Sequence, residues 1–413
     1  LPTSNLTLAF LLAARRAEMQ GLEQLRATGD LVRAMGEWVH RLQRERGASN
    51  LYLASGGQSF ASQREQCVAD SAAIEDAVRA RYFAPAVAPE QVYGGMRLLS
   101  RIAQLLHALD GLPALRTQVR RRQIDVDAST RAYSELIAAL LAVVWEAADT
   151  ALDPAVSRAL VALYNLMRGK ELAGQERAAG TAAFAAGRFD DALLQHIDRL
   201  VDAQAHCLQT FADFAEPALL GMWQHLQDSA ATQAVHDWRA RLRAAAGARS
   251  APRAGEQWFE ASTRRIDALR LIEDAATSAL VAACEAALDA ARSGLADDAG
   301  ALRAIATPPA VGAEAVQADA AAPLACTTMD LLQAQTRRLQ AISDELAAAR
   351  AALRERKLVD RAKGLLMDRR GLSEDAAYRL LRQAAMQQQR RLGEVAESVL
   401  QMEAVISPAA SGR

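Results

Sequence analysis

Aromatic residues make up only 5% of the 413-residue chain, and β-branched runs are scarce. Sheets draw on both, so the composition argues against a β-rich fold. Cysteine is sparse as well. The four thiols, Cys67, Cys207, Cys284 and Cys326, lie far apart and form no CxxC pair. That spacing argues against a disulfide framework or a zinc site and predicts buried or idle thiols in a reducing compartment. The six histidines show no metal-ligand spacing. There is no P-loop, no GxGxxG after a strand, no HExxH and no Ser/His/Asp pattern, so neither an enzymatic activity nor a cofactor is expected. Long apolar runs are also missing. Residues 6–14 are too short a run to span a bilayer and follow no basic segment. They are read as part of a first helix, a trimmed signal being the alternative, and the protein is expected in the cytoplasm without a membrane partner.

Net charge is almost absent at −1, but it is unevenly spread. Residues 350–400 hold 12 basic and 7 acidic residues, against 36 and 42 in the rest of the chain. Any polyanion partner therefore belongs at the C-terminal end.

What is present is Ala, Leu, Arg and Glu, a mixture suited to long packed helices. Apolar residues recur at three- and four-residue spacing, which predicts amphipathic helices over 29–54, 62–81, 91–123, 126–149, 154–186, 188–214, 217–247 and 255–293. Breaks coincide with Gly56 and Gly57, Pro85 and Pro89, Pro154, Gly187, Pro217 and Pro252. The expected fold is all-α: tandem helical bundles over 1–293, a linker over 294–328, a coiled-coil helix over 329–360 and a three-helix unit over 361–406. The linker is rich in Ala, Gly, Asp and Pro. The coiled coil rests on Leu332, Leu339, Leu346 and Leu353, one leucine every heptad, with Ile342 and Ala349 beside them. It predicts a homodimer; the alternative is one long helix lying on the N-terminal bundle. In the tail, Ser373 caps a helix running to about Gln387.

Two segments resemble each other. Glu45, Arg46, Gly47, Ala48, Ser49 and Asn50 match Glu176, Arg177, Ala178, Ala179, Gly180 and Thr181, with Ala54/Gly56 and Ala185/Gly187 at equal offsets. The repeat predicts two bundle halves built alike. Small residues within a helix weaken it and let a neighbour or a ligand come close. An arginine beside such a surface points inward and needs a partner there, either a carboxylate or a bound planar oxyanion, which the guanidinium fork matches in bidentate fashion.

The stretch Leu42, Gln43, Arg44, Glu45, Arg46, Gly47, Ala48, Ser49, Asn50 resembles the signature of the nitrate- and nitrite-sensing (NIT) domain. So does Gly169, Lys170, Glu171, Leu172, Ala173, Gly174, Gln175, Glu176, Arg177, Ala178. The tail is similar to the ANTAR domain, an RNA-binding antiterminator module. The matching residues include Arg361, Ala362, Lys363, Gly364, Leu365, Leu366 and Met367, then Gly371, Leu372, Ser373 and Glu374, Ala377 and Tyr378, Leu381 and Arg382, and Glu394, Val395 and Ala396. The two resemblances imply a regulator in which nitrate or nitrite binding to the helical sensor frees the tail to bind paired leader-RNA hairpins. The terminator then does not form, and nitrate assimilation genes are transcribed.

The family's pocket implies nitrate-binding arginines from separate helices. Arg46 matches the first, Arg239 is the best match for the second, with Arg241 and Arg243 open alternatives, and Arg177 is a third. Like charges at such a pocket repel, so an anion is expected to draw the helices together. For RNA, the expected contacts are Arg361, Lys363, Tyr378, Arg382, Arg390 and Arg391, cations with one stacking ring. Leu366, Met367, Leu381, Met386, Val395 and Val399 read as core. The rival readings are a DNA-binding dimer, disfavoured by the ANTAR resemblance, and a sensor whose tail docks on protein.

Overall fold

The computed structural model describes residues 3–83, 95–150, 153–187, 189–244, 253–306 and most of 358–406. Among the described residues there is no strand, so the fold is all-α as expected. Ten helices form the sensor part: α1 (Thr3–Ala54), α2 (Ala61–Tyr82), α3 (Gly95–Leu109), α4 (Leu112–Arg120), α5 (Val126–Thr150), α6 (Pro154–Ala186), α7 (Asp191–Phe214), α8 (Pro217–Gln227), α9 (Ala230–Ala244) and α10 (Ala254–Ala306).

Local chemistry sets the boundaries. The Asp153 carboxylate accepts from the Val156 amide at 3.0 Å to open α6, with Pro154 in the first turn, and Gly187 in the left-handed region (φ 60°) closes it. Asp190 caps α7 through the Leu193 amide at 2.8 Å. Two expected helices are each split in two. Pro113 lacks an N–H and sits in the first turn of α4, so the chain breaks at Gly111. The 217–247 segment breaks at Asp228 and Ser229, where the Ser229 and Thr232 hydroxyls both donate to the Leu226 carbonyl. In the other direction, α10 continues to Ala306, well into the expected linker. Alanine and leucine carry it on, and Pro308 and Pro309 follow. The rest of the linker and the heptad segment up to residue 357 lie outside the described residues.

The order α1–α5 is repeated as α6–α10. Helices α1 and α5 pack within the first half, α6 and α10 within the second, and α1 against α10 and α5 against α6 form the seam. One core runs through all four, from Met35, Trp38 and Leu42 through Ile137 and Val144 to Met167 and Leu280. Each such side chain contributes roughly 1.5–3 kcal/mol on burial. A smaller cluster, Phe184, Phe189, Val235 and Trp258, fills the far end of the second half, with Phe184 edge-on to Phe189 at 5.4 Å and to Trp238 at 5.3 Å.

The C-terminal unit has a helical stretch over 361–367 (α11), then α12 (Glu374–Gln388) and α13 (Leu392–Ile406). Its core is Val359, Ala362, Leu381, Ala385, Val395 and Ala396, with Leu366 and Val399 packed against it. Met386, expected in this core, is 71% exposed, because that face of α12 points to solvent. No described helix is long and apolar enough to cross a membrane.

Candidate functional site

The internal repeat resolves into two equivalent devices. In each, the glutamate turns into its own half and grips an arginine of the fourth helix. Arg116 of α4 donates to Glu45 at 2.9 and 3.0 Å, and Arg239 of α9 donates to Glu176 at 2.7 and 2.7 Å. Both pairs are bidentate, with Glu45, Glu176 and Arg239 buried and Arg116 part-buried. The arginine next in sequence behaves differently. Arg46 Nη1 donates to the Ser134 hydroxyl of α5 at 2.8 Å, and Arg177 Nη1 donates to the Thr263 hydroxyl of α10 at 2.8 Å. The two halves therefore present Arg46 and Arg177 in matched settings.

These two guanidiniums meet at the seam. Arg46 is buried and paired through both terminal nitrogens with Glu171 of α6. Close packing here depends on glycine: a Cβ on Gly174 would stand 2.7 Å from Arg46 Nη2. Across the seam, the Arg177 Nη2 lies against Gly47 of α1. Arg177 stacks on the Phe259 ring at 4.7 Å and has no ion pair among the described residues. Burial and the Arg46 charge hold its pKa down at about 10, opposed by Asp267 and Glu171. Asp267 is exposed, so its charge is screened. Two cations thus face one buried carboxylate, which leaves one positive charge in excess.

The repulsion expected between pocket arginines is met here by Glu171. That carboxylate has further donors, Gln43 Nε2 at 2.9 Å and Gln175 Nε2 at 2.8 Å.

Arg239 is not brought to this centre. Successive residues on a helix are about 100° apart, so Glu176 leaves α6 about 140° round from Glu171. Helix α6 stands between Arg46 and Arg239. Arg239 instead joins a second buried centre with Glu176, Gln204 and Arg265. Of the open alternatives, Arg241 stacks on Trp238 at 4.8 Å and Arg243 is exposed on Asp198. Sequence reading missed Glu171 as a counter-ion, although it stands within the second signature stretch. It also missed Arg265, Ser134, Thr263 and Phe259, which lie outside both signatures. A groove of about 490 Å³ between α1, α2 and α10 lies elsewhere, and its charges are paired, Arg81 with Asp30 and Arg270 with Glu37 and Asp274.

At the C-terminal end, Arg361, Tyr378, Arg382, Arg390 and Arg391 are exposed, and Tyr378 and Arg382 share a face of α12. Arg390 reaches Glu394 at 3.3 Å and Ser398 at 3.2 Å. Lys363 departs from the expected surface position. It is buried, with its ammonium 6.0 Å from the centre of the Tyr378 ring, and so joins α11 to α12. No group of His, Cys, Asp and Glu among the described residues is arranged to hold a metal.

Comparison with known proteins agrees with this architecture. The family described as "Nitrate and nitrite sensing" (NIT) matches residues 37–281, and the ANTAR domain family matches residues 347–400. The chain is 35% identical over 397 residues to the "Nitrate regulatory protein" of Klebsiella oxytoca, covering 95% of this chain and 94% of the relative. It is 37% identical over 73 residues to the transcriptional regulatory protein PdtaR of Mycobacterium tuberculosis, covering 18% and 36%. Among solved structures, that of the NasR transcription antiterminator aligns with a TM-score of 0.60 at 32% identity, covering 96% and 99%. With helical sensor, repeat and basic tail in place, the chain belongs to the family of regulators that join a nitrate- and nitrite-sensing NIT domain to an ANTAR domain.

Proposed function

We propose that this protein is a nitrate- or nitrite-responsive transcription antiterminator. The observation that carries the reading is the Arg46–Arg177 centre, one buried and one part-buried guanidinium at the seam of two like halves, with the Glu171 carboxylate on Arg46. Its charge excess suits one monovalent anion. A planar oxyanion accepts from the Arg46 fork in place of Glu171 and supplies Arg177 with an anionic partner. Gln43 and Gln175 retain the displaced carboxylate. The exchange changes the load on α6, which packs on α10, and α10 is the helix that leads toward the C-terminal domain.

The ANTAR domain then binds leader-RNA hairpins, and the terminator does not form. Phosphates and unpaired bases are taken by Arg361, Tyr378, Arg382, Arg390 and Arg391, with Lys363 fixing the ring. The names of the relatives, a nitrate regulatory protein and a transcription antiterminator, support nitrate assimilation genes as the target. The heptad leucines support a homodimer, and the protein acts in the cytoplasm. A mobility shift with leader RNA and with duplex DNA tests the reading. Nitrate should raise RNA retention in wild type and not in Arg46→Ala. Retention of DNA alone would establish the DNA-binding alternative, and retention of neither would establish protein docking.

A further inference from the structure

The second buried centre also holds more cations than carboxylates. The Arg46–Ser134 and Arg177–Thr263 bonds align the halves, so Tyr133 corresponds to Ser262 and Leu136 to Arg265. In the first half, the Tyr133 hydroxyl donates to Glu45 at 2.8 Å, and Arg116 faces two carboxylates, Glu45 and Glu75. The buried Arg64 of that half donates to the Arg116 carbonyl at 2.8 Å and lies over the Tyr52 ring at 5.7 Å. In the second half, Arg239 takes both oxygens of Glu176, and Arg265 is added beside it. Arg265 is 6% exposed, and its one partner among the described residues is the neutral Gln204 amide oxygen at 3.1 Å. Its Nε has no hydrogen bond, and neither has the Oγ of Ser262, which is 5% exposed and one turn away on the same face of α10. Burial and Arg239 lower the Arg265 pKa to about 10, short of what neutralises it at pH 7. A full positive charge therefore stays buried with two unused donors, a costly arrangement without a counter-ion.

We propose that Arg265 and Ser262 form a second anion site, specific for a small monovalent ion of chloride size. The ion lies between Arg265 Nε and Ser262 Oγ, where the first half carries the phenol ring of Tyr133. It is separate from the Arg46–Arg177 centre and fixes the second half at constant charge whatever the nitrate level.

Two measurements test this on the full chain. Crystals soaked in bromide should show an anomalous peak within hydrogen-bond reach of Arg265 Nε and Ser262 Oγ, whether or not one appears at Arg46. At constant ionic strength, replacing gluconate with chloride at ten times its dissociation constant should raise Tm by roughly 3 °C. Arg46→Ala should keep that rise, and Ser262→Ala and Arg265→Met should reduce or lose it. No bromide at Arg265, or a chloride effect that persists in Arg265→Met and disappears in Arg46→Ala, would overturn the second site while leaving the nitrate reading intact.

Discussion

Arg46 holds Glu171 with two nitrogens, and on the proposed function the same fork takes a planar anion. A lysine keeps the charge but donates from a single point. Arg46→Lys is therefore expected to weaken nitrate binding at least about tenfold, a loss of about 1.4 kcal/mol, in a fold that stays intact. His40 makes an independent prediction. Burial and the charges of Lys170, Arg270, Arg44 and Arg41 lower its pKa to about 3. Between pH 3 and 6.5 the unfolded chain binds the proton and the folded chain does not, so folding stability rises with pH across that window. The slope from this residue approaches about 1.4 kcal/mol per pH unit. Denaturant unfolding from pH 5 to 6.5 should show a shallower slope in His40→Gln. An unchanged slope would mean that His40 titrates normally. At this scale the sequence singled out arginines but not where each points. Arg46 and Arg177 carry local signatures, whereas Arg265 and its partner Gln204 lie on helices without one, and only packing brings them together.

At the scale of elements, α6 does most of the positioning. Its faces divide the labour: Glu171 and Gly174 toward Arg46, Glu176 toward Arg239, and Gly180 under Trp258. The Trp258 indole donates to the Arg177 carbonyl at 2.9 Å, and a Cβ on Gly180 would lie 2.4 Å from the indole nitrogen. Gly180→Ala should push α10 away and destabilise the sensor by roughly 2–3 kcal/mol, visible as a lower Tm. A Tm equal to wild type would show that the contact relaxes freely. Periodicity made the long helices legible, and the breaks at Pro154 and Gly187 fixed real ends. It failed where one continuous apolar stripe runs over two helices, as at Pro113 and Ser229, and where alanine extends α10 past the stripe. The angle between Glu171 and Glu176 on α6 was readable in principle, and it is what separates Arg239 from Arg46.

At the scale of the molecule, the sensor residues are acidic in balance and the C-terminal unit is basic. RNA affinity should accordingly fall steeply with salt. Arg382→Ala should weaken binding across RNA sequences and reduce the slope against log salt by about one. A mutant with wild-type slope would remove Arg382 from the interface. The two-part plan was legible from composition, repeat and charge together. The seam between the halves was not, because it joins residues far apart in sequence, Arg46 with Glu171 at 125 positions and Glu37 with Arg270 at 233.

Calorimetric titration of nitrate into wild type, Arg46→Ala and Glu171→Gln tests the central claim most directly. If the anion exchanges with Glu171 at Arg46, the variant without that carboxylate binds nitrate more tightly than wild type, and Arg46→Ala gives no saturable heat. Wild-type affinity in Arg46→Ala, or weaker binding in a folded Glu171→Gln, would contradict the account.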